Sequence, residues 1–161
     1  MNLTIYRAVI PSPVGDLYCA ADDSAVLEIL YKEERGGEKF TDSHILSRLR
    51  GELESYFSGK LERFTTPVRL SGTPHRLKVW GELKNIPYGE TVTYRSVAQR
   101  VGSAPIAVGQ AVGANRVNIL LPCHRVVGSD GSLTGYGGGL ERKRFLLALE
   151  SKLKAVVSGE A

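Results

Sequence analysis

The stretch Gly102-Ser103-Ala104-Pro105 constrains this chain more than any other. Helical spacing runs on both sides of it, but a glycine and then a proline cannot be carried through a helix interior. TYRSVAQRVG (93–102) therefore predicts a short helix ending at Gly102, and Ser103-Ala104-Pro105 restarts a second through about Ala114. Two short helices joined by a three-residue turn containing glycine have helix-turn-helix geometry, which other helical hairpins share. The second helix, PIAVGQAVGAN, carries two glycines, each costing about 1 kcal/mol relative to alanine. They serve either close packing against a neighbouring helix or a smooth face that DNA can approach closely.

The first half has a different period. LTIYRAVI (3–10), DLYCAA (16–21) and AVLEILYK (25–32) predict short strands separated by the turn signals PSPVG and DDS. From His44, Ile45, Leu46, Leu49, Leu53, Tyr56 and Phe57 recur at helical spacing, with Gly59 as the stop. Residues 60–72 read as a connection. Thr73-Pro74 opens a helix through Leu83, with Leu77, Trp80 and Leu83 facing inward. IPYGET (86–91) is a turn, and LERKRFLLALE (140–150) is an amphipathic terminal helix. The expected fold class is α+β, with an N-terminal α/β lobe over 1–70, built from a small antiparallel sheet and a helix. A mostly helical C-terminal lobe containing the helix-turn-helix covers 71–161.

Charge divides at the same place. Residues 1–70 hold nine Lys and Arg against eleven Asp and Glu, a net of −2; residues 71–161 hold twelve against six, a net of +6. A basic half beside a slightly acidic one points to a polyanionic partner such as nucleic acid, although solubilising charge gives the same sum. No apolar run is long enough to span a bilayer, and MNLTIYRAVI lacks a secretory pattern, so a cytoplasmic protein is expected. Cys19 and Cys123 show no CxxC spacing, which speaks against a disulfide scaffold or a four-cysteine zinc site.

Chemistry concentrates in ILLPCHRV (119–126). Cys123 has the residue type of a nucleophile and His124 that of its base. Adjacent side chains on an extended strand point to opposite faces, so direct contact is awkward. A bridging water or local turning after Pro122 would reconcile them. The base then needs an acid partner from elsewhere, for which Glu150 is a candidate. The alternative is a buried, inert cysteine.

LLPCHRVVGSDGSLTGYGGGLERKRFLLALE, with GTPHRLKVWGELKNIPYGETVTY upstream, resembles the O6-alkylguanine-DNA alkyltransferases, also called methylated-DNA–protein-cysteine methyltransferases. Pro-Cys-His-Arg-Val is that family's active-site signature, and the similarity runs from about residue 71 to 150. The resemblance implies a ribonuclease-H-like N-terminal lobe and a single-turnover enzyme, monomeric and without cofactor or metal. It implies binding of double-stranded DNA from the minor groove, flipping of O6-alkylguanine and irreversible transfer of the alkyl group to Cys123.

On the same resemblance, His124 deprotonates Cys123 through a water, Glu150 orients His124, and Tyr94 gives a proton to the leaving purine. Asn115 ties the second motif helix to the active-site turn, and Arg125 braces the loop. The carbonyls of Cys123 and Val126 accept from the guanine amine, and the Gly137 amide lies near O6. Tyr136 walls the pocket, Ser129 contacts DNA or substrate, and Asn118 with the 129–139 loop shapes the pocket. His44 and His75 are surface or structural residues. Cys19 and His44 are the only zinc candidates of the first lobe, so zinc is not expected there.

Two positions depart from the pattern. Ile106 stands where the family has an arginine that fills the space left by the flipped base, and Arg116 stands where it has a proline. Isoleucine can act as an apolar wedge but offers neither charge nor planar stacking. A damage sensor on the same fold that lacks chemistry and a Cys-His hydrolase are the competing readings; Cys123 opposes the first.

Overall fold

In the computed structural model, residues 4–34, 43–133 and 135–157 are described, those of 152–157 for backbone only. The chain groups into two compact units. One comprises 1–70 with Arg116–Asn118, and the other comprises 71–115 with 119–161.

The first unit is a three-stranded antiparallel sheet in the order β1 (Tyr6–Ile10), β2 (Leu17–Ala21), β3 (Val26–Leu30). Tyr6 pairs with Ala21 and Ile10 with Leu17, and the strands are a little shorter than the sequence runs. Asp22 makes the second turn. Its Oδ1 accepts from the amides of Ser24 and Ala25 at 2.8 and 2.9 Å, and Arg69 is ion-paired to the same carboxylate. Helix α1 (His44–Phe57) starts at Ser43, whose Oγ accepts the Leu46 amide at 3.2 Å. It buries Ile45, Leu46, Leu49, Leu53 and Tyr56, as its period predicts, and packs on β1 and β2.

The outer edge of β3 is occupied by two distant segments. The Val26 amide donates to the Pro67 carbonyl at 2.8 Å, and the Ile29 amide donates to the Arg116 carbonyl at 2.8 Å. Covering an edge in this way removes a template for unwanted strand pairing. Residues 116–118 thus belong with the sheet, although they lie deep in the second half of the sequence.

The second unit holds α2 (Pro74–Leu83), α3 (Tyr94–Val101), α4 (Pro105–Gly113) and α5 (Leu140–Val157). It also holds a two-stranded parallel pair, β4 (Val92–Thr93) with β5 (Val126–Val127). Thr73 and Thr93 cap α2 and α3 by accepting the amides of Arg76 and Ser96. Gly102 ends α3 in the left-handed region at φ 69°, where only glycine sits without strain. Trp80 anchors α2 against α4, its Nε1–H donating to the Ala111 carbonyl at 2.8 Å.

One inward assignment is corrected. Leu77 is 42% exposed, and Val79 joins Trp80 and Leu83 on the buried face. The terminal helix continues to Val157, past the expected Glu150.

Candidate active site

Pro122 lies just before a 3-10 turn over Cys123–Arg125, with the Arg125 amide donating to the Pro122 carbonyl at 3.0 Å. The segment is therefore not extended at the Cys-His pair, and neighbouring side chains diverge around a turn. The Cys123 amide donates to Leu121 at 2.8 Å, and the Val126 amide donates to the Cys123 carbonyl. Upstream, buried Ile119 has φ 72°, a costly conformation for a β-branched residue.

Cys123 is 2% exposed. The Asn115 amide donates to its Sγ at 3.0 Å and to the Leu121 carbonyl at 3.1 Å. Asn115 thereby joins the end of α4 to the turn and touches the sulfur itself. Burial pushes the Cys123 thiol up to about 11, against the pull of the Asn115 hydrogen bond, the Lys143 charge and Tyr136. The resting sulfur is a thiol, and ionising it needs a base.

His124 is wholly buried, and its Nε2 lies 2.7 Å from Glu150 Oε2. A carboxylate at Nε2 requires a proton there, so the basic lone pair is on Nδ1. Among the described residues Nδ1 has no hydrogen-bond partner. Burial drives the histidine pKa down, opposed by Glu150, so the ring rests neutral. Arg125 forks onto Glu150 at 2.8 and 3.0 Å and donates to the Ile86 carbonyl at 2.8 Å. Burial alone would raise the Glu150 pKa; the bonds from His124 and Arg125 outweigh it and hold the carboxyl at about 2.

The other expected residues are spread more widely. Tyr94 opens α3, and its hydroxyl donates to the Gly135 carbonyl at 3.1 Å. Tyr136 is half-buried; Gly137 and Ser129 are exposed, and Thr134 lies outside the described residues. The Val126 carbonyl already accepts Lys143 Nζ at 2.6 Å, leaving one of its two lone pairs. Ile106 is 80% exposed at the start of α4. His44 is exposed, and His75 is exposed with its Nε2 2.9 Å from Ser103 Oγ.

Asn118 and Arg116 answer to the first unit. The Asn118 amide donates to the Ile29 carbonyl at 2.8 Å, so its side chain supports the sheet edge rather than shaping a pocket. Arg116 is ion-paired to Glu28 and to Glu34, the latter at 2.6 Å. Its guanidinium is engaged with these two carboxylates. Among the described residues no group of three or more His, Cys, Asp or Glu could hold a metal ion, and no helix is long and apolar enough to cross a membrane.

Sequence reasoning missed Lys143. It is completely buried on α5, one turn from Leu146 and two from Glu150, with Nζ 5.7 Å from the centre of the Tyr94 ring. The signal was present as the spacing 143, 146, 150, which puts a lysine into a buried column.

Comparison with known proteins matches both units. The 6-O-methylguanine DNA methyltransferase ribonuclease-like domain matches residues 5–70, and the DNA binding domain of the same name matches 74–152. The methylated-DNA–protein-cysteine methyltransferase of Haemophilus influenzae is 40% identical over 91% of this chain and 86% of its own length. The Mycobacterium tuberculosis protein of that name is 41% identical over 91% and 92%. The crystal structure of M. tuberculosis OGT in complex with DNA superposes with a TM-score of 0.85 at 39% identity, covering 92% of this chain and 94% of that one.

Proposed function

This chain belongs to the 6-O-methylguanine DNA methyltransferase family, and we infer from that premise and the site geometry how it reverses alkylation damage in DNA. It is a DNA-binding repair enzyme that transfers a methyl group from DNA to one of its own cysteines. In our reading the substrate is O6-alkylguanine in duplex DNA, the acceptor is Cys123, and a monomer in the reducing cytoplasm does the work.

The observation that carries this reading is the His124 ring, held by Glu150 at Nε2 so that Nδ1 is its basic nitrogen. A water passing the Cys123 proton to Nδ1 dissolves the difficulty of two adjacent residues acting as acid and base. The sulfur attacks the alkyl carbon, and the carbon–O6 bond breaks with its electron pair moving into the purine. A proton from Tyr94 quenches the purine anion, and solvent restores the phenol. The thioether has no route back, so each molecule acts once. A thiol held near 11 when no substrate is present is also spared indiscriminate alkylation.

Tyr94 must exchange its bond to Gly135 for one to the purine. Carbonyls of Cys123 and Val126 accept the guanine amine, the Gly137 amide reaches toward O6, Tyr136 walls the cavity and Ser129 meets the backbone. Asn115 and Arg125 hold the turn. The test is mass spectrometry after incubation with methylated duplex. One methyl group should appear on the Cys123 peptide and the reaction should then stop. Binding without modification would mark a sensor, and continuing turnover a hydrolase.

The outward face of α4 carries Ile106, Gly109, Gln110 and Gly113. A Cβ added at Gly109 or Gly113 would meet nothing within 4 Å, so packing within the fold does not require these glycines. A smooth face meeting the minor groove remains as their reason. Gly109→Leu should therefore melt no lower than the parent, since glycine costs about 1 kcal/mol in a helix. It should nevertheless bind duplex on the order of tenfold more weakly in a fluorescence titration, for which a groove clash of about 1.4 kcal/mol suffices.

Ile106 is the apolar wedge of that face. Ile106→Arg should hold the flipped state better by about 1 kcal/mol, roughly fivefold in single-turnover rate or affinity. Equal rates and affinities for the two proteins would remove the wedge from the account. Affinity should fall steeply with salt where Lys and Arg meet phosphates.

A further inference from the structure

The IPYGET turn (86–91) has no part in the transfer itself, yet it reaches the active-site turn at two points. The Ile86 carbonyl accepts from Arg125 Nη1 at 2.8 Å, and the Arg125 Cζ stands over the Tyr88 ring, 5.7 Å from its centre. Local geometry puts the ring there. The Glu90 amide donates to the Pro87 carbonyl at 3.1 Å, and Gly89 supplies φ 79° at the third position, so Tyr88 stands at the corner. Val92 then pairs with Val126, directly after Arg125.

Arg125 is buried, and it donates from Nε and Nη2 to Glu150 and from Nη1 to Ile86. These bonds hold the guanidinium by its edges, and the negative face of the Tyr88 ring adds a further hold that acts on its charge. The position of the guanidinium matters because one Glu150 oxygen is shared. Oε2 accepts from Arg125 Nη2 at 3.0 Å and lies 2.7 Å from His124 Nε2. A guanidinium that rocks takes that oxygen with it. We propose that Tyr88 is a positioning residue for the transfer: the face of its ring steadies the Arg125 guanidinium, and through it the Glu150 oxygen that sets the His124 tautomer. The inference rests on the reading of His124 as base only for its effect on transfer, and the hold on Arg125 is measured apart from it.

Hydrogen exchange at the Arg125 Nε–H, followed by NMR without DNA, measures that hold. In Tyr88→Leu, which keeps apolar cover but has no π face, this proton should exchange about tenfold faster, the size of a partly desolvated cation–π contact. Tyr88→Phe keeps the ring and should stay within about threefold of the parent. The Trp80 Nε1–H, bonded to the Ala111 carbonyl in the same unit, is the control and should keep the parent rate. Equal acceleration of both protons would mark a residue that only stabilises the fold, and it overturns the proposal. So does an Arg125 proton that keeps the parent rate in Tyr88→Leu. Tyr88→Phe exchanging as fast as Tyr88→Leu would move the effect to the hydroxyl and overturn it too. Transfer from methylated duplex should be about fivefold slower in Tyr88→Leu at unchanged duplex affinity, and near the parent rate in Tyr88→Phe. An undiminished rate in Tyr88→Leu overturns the positioning role. If the parent transfers no methyl group, the repair reading fails while the exchange rates still decide the hold on Arg125. Should Tyr88→Leu not fold, ring-fluorinated phenylalanine in place of Tyr88 keeps the shape and drains negative charge from the ring face. Exchange at Arg125 must then quicken relative to Tyr88→Phe, and equal rates overturn the proposal.

Discussion

Cys123→Ser removes alkyl transfer altogether and leaves the protein folded and bound to DNA. The cavity that holds the sulfur accepts an oxygen of smaller radius, and the Asn115 amide finds an equally good acceptor there. The stability change should stay within about 1 kcal/mol, the range of a single hydrogen bond exchanged for another. The chemistry does not survive the exchange. A neutral imidazole at Nδ1 can draw a proton from a thiol near 11 through one water, but a serine hydroxyl is several units weaker still as an acid. It is also a poorer nucleophile toward an alkyl carbon. The expected result is no added mass on the protein and an intact lesion, with duplex affinity within twofold of the parent, a shift of about 0.4 kcal/mol. Lesion removal at the parent rate would take the nucleophile away from position 123.

What could be read in the sequence was whatever depends on neighbours along the chain. The helix breaks at Gly102 and Pro105, the column of α1 from Ile45 to Tyr56, and the Pro-Cys-His-Arg turn are local in this sense. The relation of His124 to Glu150 spans 26 residues; the residues alone offered Glu150 as one candidate partner, and the resemblance gave it the orienting role. Three features lay outside such reading. Residues 116–118 complete the edge of β3, yet Arg-Val-Asn has no strand pattern of its own; the pairing is created by β3. Leu77 has the period of a buried residue, but the neighbours of α2 select the face of Val79 and Trp80. Lys143 looks like one more basic residue in ERKRF, because a lysine is read as solvent-facing until its burial is seen. The last miss is chemical: patterning sorts residues by hydropathy, and a working site violates that sorting where it stores charge.

Glu150 should be the costliest single carboxylate to lose. It is 1% exposed and accepts from His124 and from the Nε and Nη2 of Arg125. Glu150→Ala strands a buried guanidinium, a loss of about 3–5 kcal/mol in comparable pairs. Glu150→Gln retains shape and one acceptor but not the charge, so it isolates the electrostatic part. With the carboxyl held at about 2 against an ordinary 4.5, the native state is favoured by roughly 3 kcal/mol above pH 4.5. A carboxyl depressed in the folded state keeps that contribution at neutral pH and loses it as pH falls from 4.5 toward 2. His124 acts in the same direction, because its buried neutral form resists charging below about 6.5. Denaturant titrations of the parent should weaken steeply through the acid range, while Glu150→Gln starts lower and changes less, the two converging near pH 2. Transfer should fall about a thousandfold in Glu150→Gln even where it is fully folded, as when a base loses the carboxylate that fixes its tautomer. Parallel stability curves down to pH 3 would mean that folding leaves the Glu150 pKa where it stands in the unfolded chain. The bonds from His124 and Arg125 would then not hold the carboxylate in its charged form, and the argument for Nδ1 as the base would lose its anchor.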